Sequence, residues 1–209
     1  MFHVKHYNKC EKVSNSCFLK KNVILLIWHN IYNRTRSGSE DSSLKIPYMC
    51  VSLFFYKKKR CCMEYKYMKI ALEEAKKSLL FGDVPVGAVI VKNGKIIAKS
   101  HNKREKNKIA TYHAEILVIE KACKKLKTWR LDDCILYVTL EPCLMCYGAI
   151  IQSRIPKVVY ATSSDKYGFS QKINNDMIKN IKIIDLEKMY GNESKKMLRE
   201  FFEDKRNKF

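Results

Sequence analysis

Apolar residues recur at helical spacing where the regular part of the chain begins. Met68, Ala71, Leu72, Ala75 and Leu79 lie three or four apart, with Lys69, Glu73, Glu74, Lys76 and Lys77 between them. Such a stripe predicts an amphipathic helix with one face on a core, and Gly82-Asp83 ends it. The period then shortens. Val86 to Val91 reads as a strand, Asn93-Gly94 follows, and Lys95 to Ser100 returns. Asn-Gly is a strong hairpin signal because a type I′ turn needs positive φ at both central positions. After a polar loop from His101 to Lys108, Ile116, Ile119 and Ala122 mark the inward face of a second helix.

Leu131-Asp132-Asp133 breaks the chain ahead of an apolar strand, Ile135 to Leu140. A helix carrying Cys143 and Cys146 follows to about Ser153, and Lys157 to Ala161 reads as another strand. A strand–helix–strand succession predicts parallel pairing through a crossover. Ser163 to Asn175 is a loop, Ile181 to Ile184 a short final strand, and Asn192 a cap for a last helix with apolar Met197, Leu198, Phe201 and Phe202. The expected fold is α/β: a mixed sheet, antiparallel at its hairpin end, with helices on both faces.

Residues 1–62 have another character. They hold twelve Lys or Arg against Glu11, Glu40 and Asp41 alone. Lys20-Lys21 precedes the apolar run Val23 to Trp28, and Ser37, Ser39, Ser42 and Ser43 accompany Arg34 and Arg36. This composition reads as an organelle-targeting leader. An upstream extension ahead of a true start at Met63, and an RNA-binding arm, are the other readings. Residues 63–209, 147 in number, are enough to bury roughly 70% of their unfolded surface without the leader.

The chain of 209 residues carries a net charge of +20, from 41 Lys and Arg against 21 Asp and Glu. A polyanionic partner is expected, although an AT-rich genome produces Lys and Asn without selection for binding. Nine scattered cysteines fit free thiols and a metal pair better than a disulfide framework. No apolar run approaches the ~20 residues of a membrane-spanning helix.

Two stretches carry chemistry: Tyr112-His113-Ala114-Glu115 and Leu140-Glu141-Pro142-Cys143-Leu144-Met145-Cys146. They supply one imidazole and two thiols as zinc ligands, and a carboxylate that need not touch the metal. Three protein ligands leave the fourth tetrahedral position to water, which is the catalytic form of a zinc site. A closed structural site would need a fourth ligand, and Cys123 and Cys134 lack the spacing. Pro142 suits the first position of a helix, placing Cys143 and Cys146 at its positive end, where thiolates are favoured. His113 and Glu115, two apart, would point ~200° from one another within a regular helix. They share a site only at a helix entrance, for which Thr111 is the expected N-cap.

From Met63 onward the chain resembles the bacterial-type tRNA-specific adenosine deaminases of the cytidine-deaminase superfamily. Besides the H-x-E and P-C-x-x-C motifs, the matching stretches are 67–72, 84–89, His101-Asn102, 136–143, Arg154-Ile155, 158–160 and 198–202. The resemblance implies a three-layer α/β/α fold with a mixed five-stranded sheet. It implies hydrolytic conversion of the wobble adenosine of a tRNA anticodon stem-loop to inosine, with one zinc per chain on His113, Cys143 and Cys146. By position Glu115 would shuttle protons, Asn102 would contact the base, and Val84 and Ala114 would shape its pocket, Ala114 through its backbone. A homodimer is implied, with a heterodimer not excluded.

Departures from the family pattern concern RNA contact. Ile109-Ala110-Thr111-Tyr112 replaces the usual residues before the histidine, Ser164 stands where an aspartate is common, and Glu203-Asp204 where a basic pair is common. Two alternatives share the fold: a deaminase of a free base or nucleotide of guanine or cytosine type, and a non-catalytic RNA-binding subunit. Glu115, lost in such subunits, argues for the active form. The leader points to an organelle of plastid type, the alternative being the cytoplasm.

Overall fold

In the central strands, alternate side chains enter two separate apolar layers. The structure, a computed structural model, describes residues 65–172 and 181–207. The leader, and the end of the loop expected to run to Asn175, lie outside the described residues. Five strands form one sheet: β1 (Gly87–Lys92), β2 (Lys95–His101), β3 (Cys134–Val138), β4 (Lys157–Tyr160) and β5 (Lys182–Asp185). Their order is β2-β1-β3-β4-β5. β1 is antiparallel to both its neighbours, whereas β3, β4 and β5 run parallel.

The helices are α1 (65–79), a single turn α2 (Arg104–Asn107), α3 (Ala114–Leu126), α4 (Leu144–Gln152) and α5 (Asn192–Arg206). On one face of the sheet, Ala88, Ile90, Leu136, Val138 and Val158 pack with Ala114, Val118 and Ala122 of α3 and with Tyr147 and Ile150 of α4. On the other, Val89, Val91, Tyr137 and Val159 pack with Met68, Ala71, Leu72 and Ala75 of α1 and with Met197 of α5. The period-two alternation of a pleated strand therefore builds the expected α/β/α layers, with both faces dry.

The hairpin forms as the Asn-Gly pair predicts, with φ of 49° at Asn93 and 74° at Gly94. Beyond the turn the register slips: Ile90 faces Ala98 and Val91 faces Ile96, so Ile97 is an extra residue. At the other end of β1, a Cβ on Gly87 would stand 2.0 Å from the Ala71 carbonyl oxygen. The absence of a side chain there lets α1 lie against the strand.

Several expectations are corrected. Glu74, read as solvent-facing, is buried; its carboxylate takes Lys77 at 2.7 Å, Lys99 at 3.1 Å and the His101 ring at 3.4 Å. Leu79 closes the α1 stripe but is exposed. In α3 Ala122 is buried and Ile119, half-buried, packs on the core as expected, whereas Ile116 is half-buried outside it and Ala114, Leu117 and Val118 are the further buried positions. Asn192 does not cap α5 but is its first residue, entered through a π-helical turn, Glu187–Gly191. The polar loop after β2 contains α2, whose first N–H groups are met by buried Asp83: Glu105 donates at 2.5 Å and Lys106 at 3.1 Å.

Candidate active site

The two motifs meet where α3 and α4 begin. β3 ends at Val138, and the chain turns through Thr139-Leu140-Glu141-Pro142 into Cys143, the N-cap of α4. Its backbone is extended (φ −75°, ψ 172°), and Cys146 follows in the first turn, fully buried. Pro142 thus precedes the cap instead of occupying the first helical position. His113, not Thr111, is the N-cap of α3, also extended (φ −71°, ψ 153°). This resolves the angular problem of the H-x-E spacing. His113 lies outside the helical rotation, so it and Glu115 in the first turn need not diverge.

Nδ1 of His113 stands 3.7 Å from the Cys143 sulfur and 3.5 Å from the Cys146 sulfur. The three ligand atoms all lie within 4.8 Å of one another, and among the described residues no fourth His, Cys, Asp or Glu joins them. With Zn–N near 2.0 Å and Zn–S near 2.3 Å, a tetrahedral ion separates such a nitrogen and sulfur by about 3.5 Å. The donor set and its spacing therefore fit zinc, with one position left over.

The electrostatics favour one deprotonated sulfur, that of Cys143. Cys146 donates to the Cys143 sulfur, which together with His113 brings Cys143 down to about 4. The proton shared by the pair rests on Cys146, whose thiol is held well above its ordinary value by Cys143, burial and the Glu115 carboxylate. His113 is raised by its contact with Cys143. Glu115 is buried, and loss of solvent pushes its carboxyl above the ordinary range, although hydrogen bonding to its backbone and the nearby His113 pull the other way.

Asn102 is held by three hydrogen bonds. Its backbone N–H donates to Val86 O at 2.9 Å, its Nδ2 to Val84 O at 3.3 Å, and its Oδ1 accepts from Arg104 N at 3.2 Å. One Nδ2 hydrogen and one Oδ1 lone pair remain for another partner. Lys103 N donates to Tyr112 O at 3.0 Å, joining the residue after Asn102 to the one before His113. Val84 is half-buried, and Ala114 is buried at the first position of α3, where backbone N–H groups lack helical acceptors.

Sequence reasoning gave Glu141 no role beyond its place in the motif. It is buried, and its carboxylate accepts from Ser164 N at 2.9 Å and Ser170 N at 3.0 Å. A Cβ on Gly168 would meet Glu141 Oε2 at 2.3 Å, and Gly168 pairs with Cys143 in an isolated bridge. A carboxylate beside the Pro142-Cys143 pair was the only available signal. Its targets, two backbone amides over twenty residues away, leave no pattern in sequence.

Comparison with known proteins bears on this site. The model of the MafB19-like deaminases matches residues 63–206. A tRNA-specific adenosine deaminase of Bacillus subtilis is 54% identical over 109 residues, 52% of this chain and 68% of the relative. A chloroplastic tRNA(adenine(34)) deaminase of Arabidopsis thaliana is 48% identical over 102 residues, 49% of this chain but 8% of that much longer protein. A solved structure from a study of A-to-I editing by tRNA:A34 deaminases superposes with a TM-score of 0.57 at 35% identity, covering 64% of this chain and 99% of the other. A guanine deaminase from Nitrosomonas europaea gives 0.58 at 26% identity, over 65% and 82%.

Proposed function

The chain belongs to the tRNA-specific adenosine deaminases, and we propose that it hydrolyses the wobble adenosine of a tRNA anticodon to inosine with release of ammonia. The observation that carries this reading is the convergence of His113, Cys143 and Cys146 beside the buried Glu115 at two helix N-termini. His113, Cys143 and Cys146 would hold a zinc ion, which would supply a Lewis acid able to lower the pKa of water toward neutrality.

The remaining steps fall to the chain itself. Glu115 takes a proton from the attacking water, passes it to the ring nitrogen beside the reacting carbon, and delivers one to the departing amine. Its raised pKa suits a group that must both accept and donate near neutrality. Asn102 holds the base edge with its free donor and acceptor. Val84 and Ala114 bound the pocket, which takes an adenine splayed from a single-stranded loop. The excess of Lys and Arg supports binding of the polyanionic stem.

A second reading, deamination of free guanine, is favoured by fold alone. The two solved structures superpose equally well, whereas sequence identity separates them, 35% against 26%. The test is incubation of the zinc-loaded chain with an anticodon stem-loop bearing wobble adenosine and, separately, with free guanine, cytosine and adenosine. Inosine in the RNA alone is the expected result; ammonia from a free base without RNA turnover overturns it.

Among the described residues no helix is long and apolar enough to cross a membrane. We take the assembly to be a homodimer, which native mass measurement distinguishes from a monomer or heterodimer. A plastid-type destination is supported by the composition of residues 1–62 and by the chloroplastic relative. A fluorescent fusion to residues 1–62 tests it, and retention in the cytoplasm would refute it.

A further inference from the structure

The loop from Ser163 to Lys172 is tied down on its inner side and presents an aromatic ring on its outer side. Inside, Glu141 accepts from Ser164 N and Ser170 N, and Phe169 N donates to Pro142 O at 3.0 Å. The Phe169 ring lies parallel to Tyr147 at 4.2 Å between centroids. Gly168 N closes the loop on Ser164 O at 2.8 Å while pairing with Cys143. These contacts fix the backbone on both sides of Tyr167, whose own side chain remains 60% exposed.

Tyr167 is therefore held close to the metal site. One step along the chain plus one antiparallel pairing puts its Cα within about 9 Å of the Cα of Cys143. Lys166 Nζ stands 5.2 Å and Lys172 Nζ 5.8 Å from the Tyr167 ring centroid. The loop carries one acid, Asp165. A restrained, exposed ring between two ammonium groups suits a single-stranded nucleic acid, in which a base stacks on the ring and phosphates take the charges. It does not suit an apolar protein surface, which would strand both lysines. A free base in the pocket would not reach it. Tyr112, the other aromatic near His113, is half-buried and offers less of its face.

We propose that Tyr167 is a stacking platform for an anticodon-loop base flanking the one deaminated, with Lys166 and Lys172 on adjacent phosphates. The proposal rests on the functional reading above and adds to it a residue that determines how the RNA is held.

The experiment measures steady-state deamination of an anticodon stem-loop by the full chain and its variants, with melting temperature as a control for folding. Tyr167→Ala is expected to raise KM about tenfold or more, the range measured for loss of one stacked base, with kcat within twofold. Tyr167→Phe and Tyr167→Trp should keep the wild-type KM, because the ring and not the hydroxyl is used. Lys166→Ala and Lys172→Ala should each flatten the dependence of log(kcat/KM) on log salt by about 0.7. An unchanged KM in Tyr167→Ala, or a Phe variant as poor as the Ala variant, overturns the proposal. If the wild type makes no inosine in RNA, the functional reading fails instead. Anisotropy binding of a single-stranded RNA then decides the platform, equal affinity of wild type and Tyr167→Ala refuting it.

Discussion

Nδ1 of His113 lies 3.5 Å from the sulfur of Cys146, although 33 positions separate them in the chain. The contact exists because α3 and α4 pack on the same face of the sheet with their N-termini together. Each helix presents its cap residue and first turn to the other. The cluster thus gains the positive ends of two helix dipoles, which favour thiolate over thiol.

Glu115 contributes nothing to the ligand set, so its removal separates chemistry from metal binding. Glu115→Ala is expected to retain one zinc per chain by elemental analysis and to lose at least about 10²–10⁴ in kcat, the usual contribution of a positioned acid–base group. Turnover near the wild-type level would show that another residue moves the protons.

Cys146→Ser exchanges a buried soft ligand for a hydroxyl that zinc binds poorly. Zinc content after dialysis against a mild chelator is expected to fall well below one per chain, with deaminase activity lost in parallel. Circular dichroism should stay close to the wild type, since the two apolar layers do not depend on the ion.

Glu74 makes stability depend on pH. Burial raises its carboxyl, but contacts with Lys77, Lys99 and His101 outweigh that and leave it below the ordinary 4.5. His101 is itself lowered by burial, so near neutrality it faces Glu74 as a neutral donor. A carboxylate depressed in the folded state stabilises above its unfolded pKa, and that gain is lost as pH falls through the folded value. Thermal melts should fall as pH drops below about 4.5, through the lowered folded value. Glu74→Gln should start lower at pH 7 and show a flatter fall over the same window.

Gly168 has no room for a side chain, with Glu141 Oε2 at 2.3 Å and Ser164 O at 2.6 Å from a built Cβ. Gly168→Ala is expected to cost about 1–3 kcal/mol, as overpacking does, and to raise KM for the stem-loop by displacing Tyr167. Calorimetry and kinetics on the same preparation check both.

Among the described residues the buried hydroxyl of Tyr147 meets no hydrogen-bond partner, while its ring stacks on Phe169. Removing an unsatisfied buried group relieves a desolvation cost of about 1–3 kcal/mol. Tyr147→Phe keeps the ring and is expected to melt at a higher temperature than the wild type; a lower one would reveal an internal water bound to the hydroxyl.

Much of this molecule was legible in its sequence. The α1 stripe, the Asn93-Gly94 turn, the strand segments and the H-x-E and P-C-x-x-C pair depend on local period, local turn chemistry or ligand type. Each can be read within a window of a few residues. The helix caps were misread by one or two positions. Ser, Thr, Asp and Asn cap by their side chains, whereas His113 and Cys143 occupy the cap with side chains turned to one another and make no capping bond.

What sequence determined alone was which chemical groups are available and which segments would be helix or strand, because those follow from side-chain type and spacing. Tertiary structure decided which of them meet. Glu74 looked like one of many surface acids until β2 carried Lys99 and His101 to it. Glu141 looked like a motif filler until the 163–172 loop folded back onto its carboxylate. In both cases the partner is more than twenty residues away. Only the packing of layers sets such distances, and with them burial, charge balance and the exposure of Tyr167.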